Sequence, residues 1–281
     1  MQSWLLLGIL SNASYAISTS IDKYFMKYRY NPVTTNLFKM FFDGLILLVV
    51  GFLFFNLNLN LQLFLLSMIL GIITAFSGII YFTSLKVKEV EIVVPYFQST
   101  ELMLIFIGSL ILFNEKINLY NGIGIALILL GIYTVLSKDG FQVPKLDRTI
   151  LLISVIVVLH TIYSLLVKKL LFDVEPINLA IMMYFSTTII LASYILVSKK
   201  QRRLFDIKCS KIIVGSFFGA LGTLLLYSAL FVGNASKVYS LHGLQSVFLF
   251  IIASFLLTEK LYWHRLIGTL FIFLGIFFIT L

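Results

Sequence analysis

Leu112-Phe113-Asn114-Glu115-Lys116 and Leu256-Leu257-Thr258-Glu259-Lys260 are two versions of one short turn, each standing between an apolar run and a further apolar helix. The likeness extends to both sides of the turn. Downstream, Gly124 falls on Gly268 and Gly131 on Gly275 at the same offset. Upstream, Ser84-Leu85 aligns with Ala229-Leu230 after a shift of one residue, and Lys23 and Lys168 close the first helix of each copy. Small residues along a membrane helix let backbones approach, so the glycines have a sufficient packing explanation and no role in chemistry is assigned to them.

The solvent of this chain follows from its composition. It has 281 residues, 60% of them hydrophobic and 12% charged, with a mean hydropathy of +1.05. No soluble domain of this length could carry that balance without exposing apolar surface to water. The +9 net charge, which on a soluble face would suggest nucleic acid, falls between apolar runs and is read as membrane orientation. Cys209 has no second thiol to pair with, which excludes disulfides and cysteine-rich metal sites. The N-terminal apolar stretch lacks a basic leader and is read as the first helix, not as a removable signal.

A helix needs about 20 apolar residues to cross the hydrocarbon of a bilayer. Such runs lie near 3–22, 33–55, 61–84, 92–113, 118–137, 149–167, 176–198, 211–231, 238–257 and 262–281. Breaks fall at Asn31-Pro32, the Asn56 to Asn60 tract, Lys138-Asp139-Gly140, Glu175-Pro176 and the basic stretch Lys199 to Arg203. The expected fold is therefore an all-α integral membrane protein of ten transmembrane helices, in two five-helix repeats over 1–142 and 143–281. Five is odd, so the second copy enters the membrane from the opposite side and the repeats are inverted. Inverted repeats are the arrangement that permits alternating access to a midplane site.

Orientation follows from the basic residues. With the N-terminus outside, the cytoplasmic turns collect Lys23, Lys27, Arg29, Lys86, Lys88, Lys138, Lys145, Arg148, Lys199, Lys200, Arg202, Arg203, Lys208, Lys211, Lys260 and Arg265. The opposite turns hold Lys116, Lys168, Lys169 and Lys237. The excess marks the cytoplasmic side, which puts both termini outside the cell.

An ionisable side chain at a helix centre costs about 2.5–3.5 kcal/mol on insertion scales, so each one needs a partner, a wet cavity or a task. Glu101 is the deepest carboxylate, flanked by Gln98, Ser99 and Thr100. It is a candidate for proton coupling and substrate binding, or else it holds neighbouring helices by hydrogen bonds. Lys39 and Asp43 are four apart on one helical face and read as a self-neutralising pair, with Lys39 extending toward the interface. Asp43 remains a proton-coupling candidate and Lys39 a substrate-binding one. His160 would suit a proton relay, although a lone membrane histidine is more often a neutral hydrogen-bonding group. Gln245 occupies the position matching Glu101, and His242 the position matching Gln98, so all four join the substrate-binding set. Tyr15, Tyr81, Tyr163, Tyr227 and Tyr239 complete it as cavity-wall candidates. Tyr24, Tyr28, Tyr30, Tyr262 and Trp263 fall at span ends, where an aromatic belt accounts for them.

The duplicated Leu-x-x-Glu-Lys turns, the glycine-bearing fifth and tenth spans, and the aromatic-x-Ser/Ala-Leu ends Phe82 to Leu85 and Tyr227 to Leu230 together resemble the EamA-like branch of the drug/metabolite transporter superfamily. The resemblance covers essentially the whole chain. It implies ten helices in two repeats and facilitated or proton-coupled movement of a small metabolite or amphiphile, with both termini in the cytoplasm. That last implication opposes the charge count, which is preferred here. Members commonly carry Glu-Pro inside helix four or nine, whereas here Glu101 precedes Leu102 and Gln245 precedes Ser246.

With no Gly-x-x-x-x-Gly-Lys-Ser/Thr loop, an ATP-driven pump would need another subunit. The leading expectation is a secondary transporter of the cell membrane for a small metabolite or amino-acid-like solute, its cavity lined by helices one to four and six to nine. A flippase for a lipid-linked head group is the alternative in the same class. An intramembrane enzyme lacks His-Glu-x-x-His or Gly-x-Gly-Asp signatures and ranks below both. No cofactor, metal or nucleic acid is expected. The expected partners are a small-molecule or amphiphilic substrate, protons and the lipid bilayer, with the chain a monomer or homodimer.

Overall fold

The computed structural model describes residues 3–28, 30–87, 90–113, 118–136, 148–256 and 263–280. The Glu-Lys turns, the Lys138-Asp139-Gly140 break, Arg29, Lys88, Lys145 and Tyr262 lie outside the described residues.

The described elements are all helical. They are α1 (Ser3–Lys27), α2 (Pro32–Phe54), α3 (Leu61–Val87), α4 (Val90–Phe113), α5 (Leu119–Leu136), α6 (Arg148–Leu170), α7 (Pro176–Val197), α8 (Lys199–Arg203), a 3-10 turn at Ile207–Ile212, α9 (Ile213–Val232), α10 (Ala235–Ser240), α11 (His242–Leu256) and α12 (Trp263–Thr280). Among the described residues, six segments are long and apolar enough to span a membrane: Ser3–Lys27, Pro32–Phe54, Leu61–Val87, Leu151–Leu170, Pro176–Val197 and Ile207–Val232. Shorter apolar helices cover Thr100–Phe113, Leu119–Gly131 and Leu270–Ile279. Phe52, Phe54, Leu61, Ile111 and Val197 all lie on the exposed surface, an arrangement that only lipid tolerates along a whole molecule.

Local chemistry sets the breaks. Asn31 caps α2, its Oδ1 accepting from the backbone N–H groups of Val33 (2.8 Å) and Thr34 (3.2 Å), with Pro32 in the first turn, where a missing N–H does no harm. Asn60 Oδ1 accepts from Leu63 N–H at 2.8 Å at the start of α3. Pro176 opens α7 in the same way as Pro32 opens α2. One boundary differs materially from the sequence reading. The first span, expected to end near residue 22, continues as helix to Lys27, which places Asp22 more than a turn inside α1.

The packing is reciprocal between the two ends of the chain. α1 packs on α9 and α11, while α6 packs on α3 and α4; α2 packs on α9 as α7 packs on α3; α2 meets α7, and α5 meets α12. The α5–α12 seam is made by glycine. A Cβ added to Gly124 would sit 2.6 Å from the Gly275 carbonyl oxygen, and one on Gly131 would sit 2.5 Å from that of Gly268. Numbering rises along α5 as it falls along α12, so the two helices run antiparallel with their backbones in contact. The glycines are therefore packing residues.

Two lysines tie helix ends together in matching ways. Lys23 Nζ at the end of α1 donates to the Leu85 carbonyl at 2.8 Å, near the end of α3. Lys168 Nζ at the end of α6 donates to the Leu230 carbonyl at 2.7 Å and the Gly233 carbonyl at 2.9 Å, at the end of α9. The first two bonds span the same sequence separation of 62 residues. A cation at a helix C-terminus satisfies carbonyls that have no helical partner and meets the negative end of the helix dipole.

Candidate functional site

A cavity of about 240 Å³ lies between the helices. A single water needs only about 10–15 Å³ of such space, so a solute of metabolite size has room. α1 contributes Tyr15, Ser18, Thr19 and Asp22 to the wall; α2 contributes Asn36, Lys39 and Asp43; α3 adds Ser77 and Tyr81. The remaining wall comes from α4, α6, α7, α9, α10 and α11, through residues that include Gln98, His160, Tyr184, Gly219, Tyr239 and His242. Among the described residues, none from α5 or α12 lines the cavity.

One pole of the cavity is built on α2. Asn36, Lys39 and Asp43 fall at helical spacing i, i+3 and i+7 and form one inward stripe. Lys39 is 8% exposed, so it does not extend to the membrane surface as the sequence suggested. Its Nζ donates to Ser18 Oγ at 2.6 Å and lies 3.2 Å from Asp22 Oδ1, both on α1. The ion pair thus joins two helices and supersedes the expected intrahelical pairing with Asp43 alone. Asp22 was missed because the sequence reading ended the helix there. Asp43, 1% exposed, stays beside Lys39 on the cavity wall. Its Oδ1 has no hydrogen-bond partner among the described residues.

The other pole joins α4 and α6. His160 Nδ1 lies 2.8 Å from Glu101 Oε1, and Ser164 Oγ donates to the same oxygen at 2.9 Å. His160 is held between the Phe97 ring at 5.1 Å and the Tyr163 ring at 4.9 Å. Glu101 is not itself a wall residue; it stands behind His160 and Ser164, which are. The imidazole and the Ser164 hydroxyl thus stand between the cavity and this carboxylate. Glu101 Oε2 has no hydrogen-bond partner among the described residues.

Amide and hydroxyl groups link these poles. Gln98 Nε2 donates to Gln245 Oε1 at 2.7 Å, Ser246 Oγ donates to Gln98 Oε1 at 2.8 Å, and Gln245 Nε2 donates to Thr19 Oγ1 at 3.1 Å. This chain ties α4 to α11 and α1. Thr223 Oγ1 on α9 meets both Tyr15 OH (2.8 Å) and Tyr184 OH (2.5 Å). Tyr163 OH meets Tyr227 OH at 2.5 Å, which leaves Tyr227 as a support behind Tyr163 and off the wall. Tyr81 reaches Thr19 at 3.4 Å, and Tyr239 packs edge-on against His242 at 5.1 Å.

Of the residues singled out in the sequence, Gln98, Gln245, His242, Tyr15, Tyr81, Tyr163, Tyr239, Lys39, Asp43 and His160 line the cavity. Glu101 and Tyr227 stand behind it. Asp22, Asn36, Tyr184 and Thr223 were not foreseen. Asn36 and Asp43 share a helical face, a signal present in the sequence; Tyr184 and Thr223 had none.

The chain matches the model of the EamA-like transporter family twice, over residues 2–137 and 147–281. It belongs to that family, a family of membrane transporters within the drug/metabolite transporter superfamily, and it is a multi-pass membrane protein. A solved crystal structure is similar with a TM-score of 0.73 at 13% identity, over 98% of this chain and 96% of that one, a likeness of fold alone. No curated protein matches the chain.

Proposed function

We propose that this protein is a secondary transporter that moves a small metabolite or amino-acid-like solute across the cell membrane by alternating access, through ten spans in two inverted five-helix units, 1–142 and 143–281. The observation that carries the reading is the cavity itself, whose walls come from both matched segments and hold buried ionisable groups at two poles. Buried charge in a membrane is costly, and a permeation pathway is the usual reason to keep it. The reciprocal helix packing, the antiparallel glycine seam and the two equally spaced lysine bonds support the inverted arrangement.

Glu101 behind the wall, with His160 and Asp43 on it, are the groups through which a proton gradient would drive the cycle. The distribution of basic residues supports an orientation with both termini outside the cell. The deciding experiment is uptake into proteoliposomes, with substrates drawn from a thermal-shift screen, with and without an imposed pH gradient. Uptake that saturates and accelerates under the gradient supports the reading. Binding without uptake, together with translocation of a lipid-linked head group, would favour a flippase instead.

A further inference from the structure

The segment that joins α7 to α9 concentrates positive charge. It carries Lys199, Lys200, Arg202, Arg203, Lys208 and Lys211 against a single acid, Asp206. All six cations are exposed. Asp206 is already engaged, its Oδ1 accepting from the Lys208 backbone N–H at 2.9 Å to cap the 3-10 turn. Arg202 folds back and donates to the Leu196 carbonyl near the end of α7. Among the described residues, none of the six cations pairs with a carboxylate.

The cations stand on a platform that packing holds in place. Ser198 Oγ accepts from the Gln201 N–H at 3.3 Å and caps α8. Cys209 and Ile212 are buried, Cys209 Sγ lies 3.5 Å from Thr35 Oγ1 on α2, and the Phe205 ring stands 5.8 Å from that of Phe38. Leu204, Phe205 and Ile207 nonetheless expose apolar surface between the cations. The spans on either side end at Val197 and resume with α9 at Ile213, so this mixture of charge and apolar surface lies at the face of the bilayer. Segments of that composition sink their apolar side chains to the acyl boundary and leave their cations among the lipid phosphates.

We propose that the segment from Lys199 to Lys211 is a binding site for the head groups of anionic phospholipids. A phosphodiester offers the oxygens to which lysine and arginine donate. A head group with no ammonium of its own also supplies the net negative charge that the segment lacks; a zwitterionic one does not. A soluble polyanion could meet the cations but would leave Leu204 and Ile207 uncovered. The site is separate from the cavity, and the proposal stands whatever the cavity carries.

The test is native mass spectrometry of the full chain released from neutral-detergent micelles that hold equal amounts of phosphatidylglycerol and phosphatidylcholine. Phosphatidylglycerol adducts are expected to prevail by about fivefold or more, the contribution of one basic residue near an anionic surface. The preference disappears in the variant carrying Lys199→Gln, Lys200→Gln, Arg203→Gln and Lys208→Gln. It persists in Lys169→Gln with Lys237→Gln, which lie beyond the far ends of α7 and α9. Equal adducts on the unaltered chain overturn the proposal, as does an undiminished preference in the folded four-site variant. An equal loss in the control pair also overturns it, because net charge alone would then set the preference. Displacement of the lipid by excess glycerol phosphate would make this a site for soluble anions and refute the lipid. Photo-crosslinking of the unaltered chain with azide-bearing phosphatidylglycerol locates the contact without any variant; adducts that all fall outside residues 197–213 refute it.

Discussion

Lys39 Nζ lies 3.2 Å from Asp22 Oδ1, so the buried ammonium of α2 is held by a carboxylate from α1 and not only by its own helix. Removing one partner of a buried pair strands the other, at about 3–5 kcal/mol. Asp22→Asn is therefore expected to lower the thermal midpoint sharply in detergent. The double change Asp22→Asn with Lys39→Met leaves Asp43 as the unpaired charge of the cluster and is expected to lower the midpoint further. A midpoint unmoved by Asp22→Asn would show that Asp43 alone neutralises Lys39.

Glu101→Gln keeps an oxygen for the Ser164 hydroxyl and an amide near His160, so the protein should fold normally. Gradient-driven uptake is expected to fall by about tenfold or more, in keeping with the loss of hydrogen bonds to a charged group, while exchange without a gradient persists. The comparison is made in proteoliposomes with and without the pH step. Full gradient-driven uptake would make Glu101 a structural residue that ties α4 to α6.

Gly131→Leu drives a side chain into the Gly268 backbone, where even a Cβ would sit 2.5 Å from the carbonyl oxygen. Overpacking of this sort costs about 1–3 kcal/mol. The expected result is a lower thermal midpoint with an unchanged KM, because no described residue of α5 lines the cavity. An altered KM would mean that the seam shapes the site.

Lys168→Met leaves the Leu230 and Gly233 carbonyls without this cation in a buried setting, at about 1–3 kcal/mol. Lys23→Met is expected to cost less, because Lys23 is half-buried whereas Lys168 is buried. Unfolding of the two variants side by side measures the difference.

Single cysteines introduced by Lys200→Cys and Lys237→Cys, in a Cys209→Ser background, report orientation. A membrane-impermeant maleimide applied to intact cells should label position 237 and leave position 200 unlabelled until the cells are opened. The reverse pattern would place both termini in the cytoplasm.

Composition, periodicity and the repeated turn made the helical membrane fold legible, because the bilayer permits so few solutions for long apolar runs. The cavity was legible where a polar residue interrupted an apolar run, as at Gln98, His160 and Gln245. Asp22 escaped because membrane hydropathy falls before the helix ends: Asp22, Lys23 and Tyr24 read as an interface, while helical hydrogen bonding continues to Lys27. Tyr184 and Thr223 look like ordinary residues in apolar helices. What makes them functional candidates is their meeting at 2.5 Å across two helices, and that distance is set by packing.

The seam between α5 and α12 has a consequence for ancestry. Gly124 touches Gly275 and Gly131 touches Gly268, while the repeat alignment equates Gly124 with Gly268 and Gly131 with Gly275. Each contact is thus the image of the other, as at the self-complementary face of a two-fold dimer. A half-length chain inserted in both orientations could have built the same joint from two identical copies. Within one chain the two halves need not be the same, and the carboxylate at 101, where the alignment of the two halves puts an amide at 245, is such a difference.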